Sequence, residues 1–398
     1  MRTINDRAAL RALLERGTLT RPELGALIGL SKPTASQLLL RLQSAGLVVL
    51  DGIREGGPGR TAEVYRLNPD AAFAAGLDVT PARMVAAVSD LTGKVIGTER
   101  LATPGRAGGD ALARVRACVA GACQAAGLAP ARLRKIVIGA PGAPNPATGR
   151  LEYAPHLPGW HLPHLLPELN DALGALVDIE NDVNLAAVAE QARGVAAGSR
   201  NFVLLWVSDG VGLAIVVAGQ LHRGASGSAG EIGYMPVAGS PLLRDGRRPN
   251  TGGLQSLAGG QAVAKVLREH GFRGADVVKT LAEAAHAAHT ARSAAPHGQP
   301  QERAQRARAA IDEVALRLAT GLAAVTSVLD PELVVLTGDI ALAGGEWLRA
   351  GIERQLHAVT IPRPPIRLST VAGNPVLTGA LELAVGAVRD EVFNTATS

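Results

Sequence analysis

The stretch "AGLDVTPARMVAAVSDLTGKVIG", Ala75–Gly97, decides how the body of this chain is read. Apolar runs broken at "TPA" and again at "DLTGK" predict strand, tight turn, strand, tight turn, strand. Asp78 closes the first run. A carboxylate there could steer Mg²⁺ and a nucleotide phosphate, but the turn carries Pro81, which has no N–H to offer a phosphate. A second strand–turn–strand unit lies near 202–223, and Ala-rich helical segments follow both units. The repetition predicts an α/β protein with mixed sheets, two similar lobes and a cleft between them. Further strands are expected at 135–140, 175–180 and 333–336. Helices are expected near 107–126, 163–173, 183–194, 257–270, 303–329 and 345–358. The low-complexity segment 285–307 reads as a loop between helices.

The chain has 398 residues, which predicts more than one domain. No run of eighteen apolar residues occurs, so no membrane span is expected. The N-terminus has charges inside its apolar pattern and does not read as a signal peptide. Cys118 and Cys123 suit neither a zinc site nor a secreted disulfide framework, and a cytoplasmic protein is the expectation. The net charge of +5 is unevenly spread: residues 1–68 hold ten basic and six acidic side chains, against thirty and twenty-nine in the remaining 330. That places a polyanion-binding module ahead of a nearly neutral body.

The first 70 residues read as a winged helix-turn-helix. Asn5–Arg16 has a helical apolar pattern on Ala8, Leu10, Leu13 and Leu14 and closes at Gly17. Thr20 caps a second helix with Pro22 in its first turn, Glu23 completing a capping box, and Leu24, Leu27 and Ile28 facing inward. After Gly29, Ser31 caps a third helix. Its first turns hold Ser31, Lys32, Thr34, Ser36 and Gln37, its rear Leu38, Leu39, Leu40 and Leu42, and Arg41 lies between. Polar donors at the N-terminal end of a recognition helix face base edges while an apolar rear anchors it. The run "LVVLDGIREGGPGRTAEVYRL" then predicts a hairpin wing whose Arg54 and Arg60 would reach a phosphate or a minor groove. The plainer reading is a capped helix and a solvated loop, or a winged helix serving protein interaction alone.

Four places in the body carry possible chemistry. "VDIENDVNLAAVAEQARG" sets Asn181 and Asp182 at the end of a strand, although Asp182 also reads as a simple helix cap. "QLHRGASGSAGEIGYM" surrounds Glu231 with glycines. "VSDGVGLAIVVAGQ" is a glycine hairpin, and "VIGAPGAPNPATGRL" bends at Gly142 and Asn145. His156, His161 and His164 have no spacing that fits one helical face and read as loop histidines.

Residues 75–385 resemble the ROK family of repressors and sugar kinases, on "ENDVNLAAVAE", "GQLHRGASGSAGEIGYM" and "LDPELVVLTGD". The "LSKPTASQLLLRL" segment resembles the DNA-binding module of its repressor branch. The resemblance implies an actin-like, ribonuclease H-like sugar-kinase fold in two lobes, 71–185 and 186–374, with a helix near 375–390 packing back on the first. It implies an effector-sugar site of Gly142, Asn145, Asn181, Asp182, Glu231, Tyr234 and Gln255, and matches Asp182 to the kinase base. Carboxylates and amides suit a polyol because they accept hydroxyl protons in fixed directions. The family's zinc ligands align with Tyr234, Gly246, Arg248 and Gly253, which cannot hold zinc in that way, so no metal is expected.

Its kinases carry Asp-x-Gly-Gly-Thr in the first hairpin and a Gly-rich run in the second. Here the first reads Asp78-Val79-Thr80-Pro81-Ala82, and the second places Asp209 where phosphate oxygens would lie. A like charge at about 4 Å costs roughly 4 kcal/mol at an effective dielectric near 20. ATP is therefore not expected, and no catalytic residue is assigned. The combined expectation is a non-enzymatic, sugar-responsive repressor of carbohydrate genes. It would bind double-stranded operator DNA through Ser31, Lys32, Thr34, Ser36, Gln37, Arg41 and Arg60, as a homodimer or tetramer. The alternative is an ATP-dependent sugar kinase that also binds DNA.

Overall fold

A computed structural model describes residues 2–55, 61–103, 110–145, 148, 151–152, 157, 159–160, 164–242, 252–290 and 299–395. Contacts group the chain into two compact units. One is Met1–Ala140, Leu157–Ile179 and Ala380–Ser398; the other is Pro141–His156 and Glu180–Gly379. The N-terminal module therefore groups with the first lobe instead of standing apart. The chain passes to the second unit at 141 and finally at 180, where the sequence reading set a single break after 185.

The module is α1 (Arg2–Arg16), β1 (Leu19–Thr20), α2 (Arg21–Ile28), α3 (Lys32–Ser44), β2 (Val48–Glu55) and β3 (Thr61–Leu67), with strand order β1-β3-β2. The capping box at Thr20 is formed: Glu23 accepts from the Thr20 N–H at 2.7 Å and Thr20 Oγ1 accepts from the Glu23 N–H at 3.4 Å. Gly29 ends α2 in the left-handed conformation, φ 69°. Leu10, Leu13, Leu24, Ala35, Leu38, Leu39 and Leu42 form the core. Two expected core residues face out instead, Leu27 at 50 % and Leu40 at 65 % exposure. Gly25 and Ala35 are buried where α2 and α3 approach: a Cβ on Gly25 would meet Ala35 Cβ at 3.4 Å.

The body carries the repetition seen in the sequence. In the first unit follow β4 (Phe73–Val79), β5 (Arg83–Asp90), β6 (Val95–Ala102), α4 (Ala111–Ala125) and β7 (Leu133–Ala140). After the short pair β8 (Ala143–Pro144) and β9 (Leu151–Glu152) come α5 (Leu165–Leu173) and β10 (Leu176–Asn181). The second unit continues with α6 (Asp182–Arg193), β11 (Phe202–Val207), β12 (Val211–Val217), β13 (Gln220–Leu221), α7 (Gln255–Ala258), α8 (Gly260–Glu269), α9 (Val277–Thr290) and α10 (Gln299–Leu329). It closes with β14 (Leu333–Thr337), α11 (Asp339–Val359) and β15 (Ile366–Leu368), and α12 (Pro375–Thr395) runs on from it. The two large sheets have one order, β6-β5-β4-β7-β10 and β13-β12-β11-β14-β15. In each, an antiparallel meander is joined through its first strand to a parallel neighbour, β4 to β7 and β11 to β14.

The segment 285–307 is not one loop. Residues 285–290 end α9 and 299–307 open α10, because Ala284, Ala288, Ala304 and Ala307 are buried at helical spacing; 291–298 lie outside the described residues. Low complexity here is the mark of small residues between closely packed helices. α11 starts at Asp339, earlier than expected, and breaks at Gly345 (φ 56°). In the first unit α12 meets β4 at Ala380 and Leu381: a Cβ on Gly76 would meet the Leu381 N at 2.9 Å.

Candidate functional site

Two places gather the chemistry. The first is α3. Ser31, Lys32, Thr34 and Gln37 are exposed and Ser36 half-buried, while Ala35, Leu38, Leu39 and Leu42 are buried behind them. The Ser31 side chain makes no cap to the helix backbone but pairs with Thr34 Oγ1 at 2.8 Å, and Ser36 Oγ donates to the Lys32 carbonyl at 2.9 Å. Arg41 has a different environment from the others: its guanidinium donates to Asp6 of α1, whose carboxylate is fully buried. Arg54 is on strand β2 rather than on the wing tip. It donates to both Glu23 oxygens, at 3.0 and 3.2 Å, and to Thr18 Oγ1 at 3.3 Å. Arg60 lies outside the described residues.

The second place is built wholly within the second unit. Asn181 caps α6, its Oδ1 accepting from the N–H groups of Val183 (2.9 Å) and Asn184 (3.1 Å). Its Nδ2 donates to the Gly142 carbonyl at 2.9 Å, so the bend after β7 is held to the start of α6. Asp182 follows as the first residue of α6, within electrostatic reach of Glu231. Burial and then the Asp182 charge push the Glu231 carboxyl up to about 7.

Glu231 is placed by backbone geometry. Gly230 has φ 102° and its carbonyl accepts from the Leu213 N–H of β12 at 2.9 Å. A Cβ there would sit 1.9 Å from the Leu213 carbonyl oxygen, so only glycine fits. Tyr234 ends the short turn that Glu231 opens, with its N–H donating to the Glu231 carbonyl at 3.2 Å. Gln255 is spoken for by the second hairpin: Nε2 donates to the Asp209 carbonyl (2.8 Å) and Oε1 accepts from the Val211 N–H (2.9 Å). Asn145 stands past β8, its carbonyl accepting from the Thr148 N–H at 3.3 Å. Gly142 with Asn181, and Asp182 with Glu231, are the pairs brought together.

The sequence reading missed Glu180. It is buried and accepts from the Asn181 N–H (2.9 Å), Asn184 Nδ2 (2.8 Å) and Arg223 Nε (2.6 Å). Its signal was the acid directly before Asn181-Asp182, which periodicity cannot tell from an exposed strand residue.

The hairpin tips carry other chemistry. Asp78, 4 % exposed, accepts from Arg83 Nη1 at 2.7 Å, and Thr80 Oγ1 and N–H both donate to the Arg83 carbonyl (3.0 and 2.8 Å). The acid is thus neutralised inside its own hairpin. Asp209 lies against the N-terminus of α8, its carbonyl accepting from the Gly260 N–H at 3.2 Å; a Cβ on Gly260 would meet its carboxylate at 3.0 Å. Helix N-termini favour an anion, and here a side chain of the protein supplies one. Among the described residues no group of three or more His, Cys, Asp or Glu could hold a metal ion. Of the expected zinc positions, Gly246 and Arg248 lie outside the described residues, as do His156 and His161. Burial pushes the Cys118 and Cys123 thiols up to about 11. Among the described residues no helix is long and apolar enough to cross a membrane.

The ROK family profile matches residues 74–386, and a winged helix-turn-helix DNA-binding profile matches residues 2–49. The chain belongs to the ROK family. Within that family it is 24 % identical over 394 residues to the xylose repressor of Caldicellulosiruptor bescii, covering 97 % of this chain and 96 % of that one. It is 28 % identical over 220 residues to a glucokinase of Halalkalibacterium halodurans, covering 54 % of this chain and 64 % of the kinase. In fold it matches the crystal structure of a ROK family transcriptional regulator, a homologue of the E. coli MLC protein. The TM-score is 0.76 at 21 % identity, over 99 % of this chain and 98 % of that one. This ROK protein therefore carries a winged helix-turn-helix ahead of a sugar-kinase-like body.

Proposed function

We propose that this ROK protein is a sugar-responsive DNA-binding regulator, a repressor of carbohydrate genes, and not a sugar kinase. The observation that carries the proposal is α3, which offers Lys32, Thr34 and Gln37 to solvent from a helix anchored by Leu38, Leu39 and Leu42. Such a helix suits the major groove. Ser31 and Ser36, with Arg60, complete the proposed DNA surface; Arg41 serves it as an anchor through Asp6. A homodimer would set two such helices on a two-fold operator in the cytoplasm.

The effector is a small sugar whose hydroxyls meet Asn181, Asp182 and Glu231, with Gly142, Asn145, Tyr234 and Gln255 shaping the surroundings. The name of the Caldicellulosiruptor bescii relative puts pentoses on the panel to be tried. The sugar must bind the DNA-free form with a different affinity from the bound form, since only differential binding shifts the equilibrium. Neither ATP nor zinc takes part. Support comes from Asp78 paired with Arg83, from Pro81, and from Asp209 at the α8 N-terminus.

The kinase reading has an observation in its favour: Asp182 opens α6 within electrostatic reach of Glu231, and a carboxylate at a sugar site can serve as a general base. Electrophoretic mobility shifts across a sugar panel, with ATP turnover measured on the same samples, separate the two. A sugar that changes DNA binding without ADP formation supports the regulator. Steady ADP and sugar phosphate production, lost in Asp182→Asn, supports the kinase.

A further inference from the structure

The two acids of the proposed effector site come from segments far apart in sequence, Asp182 on α6 and Glu231 on the loop after β13. One ion pair, with its carboxylate buried and its guanidinium half-exposed, stands at the root of both. Glu180 directly precedes Asn181 and Asp182, and all three of its described contacts act on this junction. Oε1 accepts from the Asn181 N–H at 2.9 Å and from Asn184 Nδ2 at 2.8 Å, while Oε2 accepts from Arg223 Nε at 2.6 Å. The Glu180 side chain is 7 % exposed and Arg223 44 %. Arg223 in turn opens the Glu231 loop: its carbonyl accepts from the Ala229 N–H at 3.2 Å, and the Ser228 carbonyl accepts from the Glu231 N–H at 3.2 Å.

We infer that the Glu180–Arg223 pair is the positioning element that sets the spacing of the Asp182 and Glu231 carboxylates, and with it which arrangement of sugar hydroxyls the protein prefers. The inference rests on the proposed effector reading. A carboxylate holding three donors has one low-energy orientation, so the start of α6 and the root of the glycine-rich loop move as a unit. Without the arginine the described contacts of the loop are its own backbone bonds and the Ser226–Ser228 hydroxyl pair at 3.2 Å, and its six residues from Gly224 to Ala229 include two glycines at positive φ, Gly224 and Gly227. The acids would still be present but no longer held at one separation. A site built to pair with hydroxyls discriminates between epimers through that separation, because the wrong epimer leaves a buried polar group unpaired.

The test uses the full-length protein and titration calorimetry with a panel of aldopentoses and aldohexoses. It compares the best sugar and its poorest-binding epimer in wild type, Arg223→Gln, Arg223→Lys and Glu180→Gln. Arg223→Gln is expected to weaken the best sugar by at least about tenfold and to shrink the epimer ratio by a similar factor. Arg223→Lys, which keeps the charge, restores part of both. Glu180→Gln, which keeps an acceptor without the ion pair, falls between and covers the case in which Arg223→Gln does not fold. Loss of general stability alone would weaken both epimers alike. An unchanged epimer ratio in a folded Arg223→Gln or Glu180→Gln overturns the inference and leaves the effector site standing. A wild-type protein that binds no member of the panel overturns the effector reading itself, and the inference with it.

Discussion

Arg83 Nη1 lies 2.7 Å from Asp78 Oδ2, closing an ion pair inside one hairpin of the first unit. Asp78 is buried and Arg83 half-exposed, so the arginine neutralises a carboxylate that a phosphate-handling hairpin would leave open to a cation. Arg83→Ala takes the cationic partner from the buried acid and is expected to cost about 1–3 kcal/mol, discounted for the partial exposure of the arginine. Urea unfolding reads this as a lower midpoint with an unchanged slope. Mg-ATP is expected to leave the wild-type thermal unfolding midpoint where it was, and a rise of several degrees would contradict this account of the hairpin.

Lys32 and Arg41 share α3 but are expected to behave differently. Lys32 is exposed, and Lys32→Ala should weaken DNA binding while lowering the slope of log affinity against log salt by about 1. Arg41 is held by the buried Asp6. Arg41→Ala should leave the salt slope nearly unchanged and cost the folded module about 2–4 kcal/mol through the stranded acid. Salt titrations of both variants, together with thermal unfolding, check the pair of outcomes. Equal slope losses would place Arg41 on the phosphates.

With the Glu231 carboxyl raised to about 7, binding of the proposed effector is expected to be sensitive to pH in the neutral range. Sugar hydroxyls that donate to the ionised form are expected to bind more tightly as pH rises through 7, with affinity level above about 8. The stability effect has the opposite sign. A carboxylate whose folded value exceeds its unfolded one adds no penalty at low pH, and its cost grows as pH rises from about 4.5 through 7. Glu231→Gln should therefore stabilise the protein by roughly 1–3 kcal/mol at pH 8 and hardly at all at pH 4. It should also flatten the pH profile of sugar binding. Melting curves at both pH values and calorimetric titrations across pH 5–9 measure this.

Gly230→Ala tests how the acid is positioned. Its Cβ would stand 1.9 Å from the Leu213 carbonyl oxygen, and φ 102° is strained for alanine. The loop must leave β12 to relieve the clash. We expect a loss of about 3 kcal/mol or more, and a much weaker effector response at temperatures where the protein is still folded.

The architecture was legible because its signals are local. The strand–turn rhythm of Ala75–Gly97 and its echo near 202–223 gave the two sheets, and Thr20 with Glu23 gave the entry to α2. Sequence periodicity cannot weigh a small residue's tolerance for close packing, so it turns Leu27 and Leu40 inward and reads 285–307, which holds the end of α9 and the start of α10, as loop. At the candidate site, Asn181, Asp182 and Glu231 stood out through the carboxylates, amide and glycines around them. Partners distant along the chain did not: Glu180 with Arg223, Arg41 with Asp6, and Gln255 with the backbone of the Asp209 hairpin. Each is fixed by tertiary contacts spanning about 35 residues or more, which no local pattern encodes.

The central claim, that this ROK protein senses a sugar in order to change its grip on DNA, is tested most directly by fluorescence anisotropy. The probe is a duplex selected from random DNA by the protein itself, titrated with and without each sugar of a panel while ADP is assayed in parallel. The account predicts that one sugar changes the DNA dissociation constant by at least about tenfold, with no ADP formed when ATP is present. DNA affinity indifferent to every sugar, alongside steady ATP-dependent phosphorylation of one of them, would contradict it.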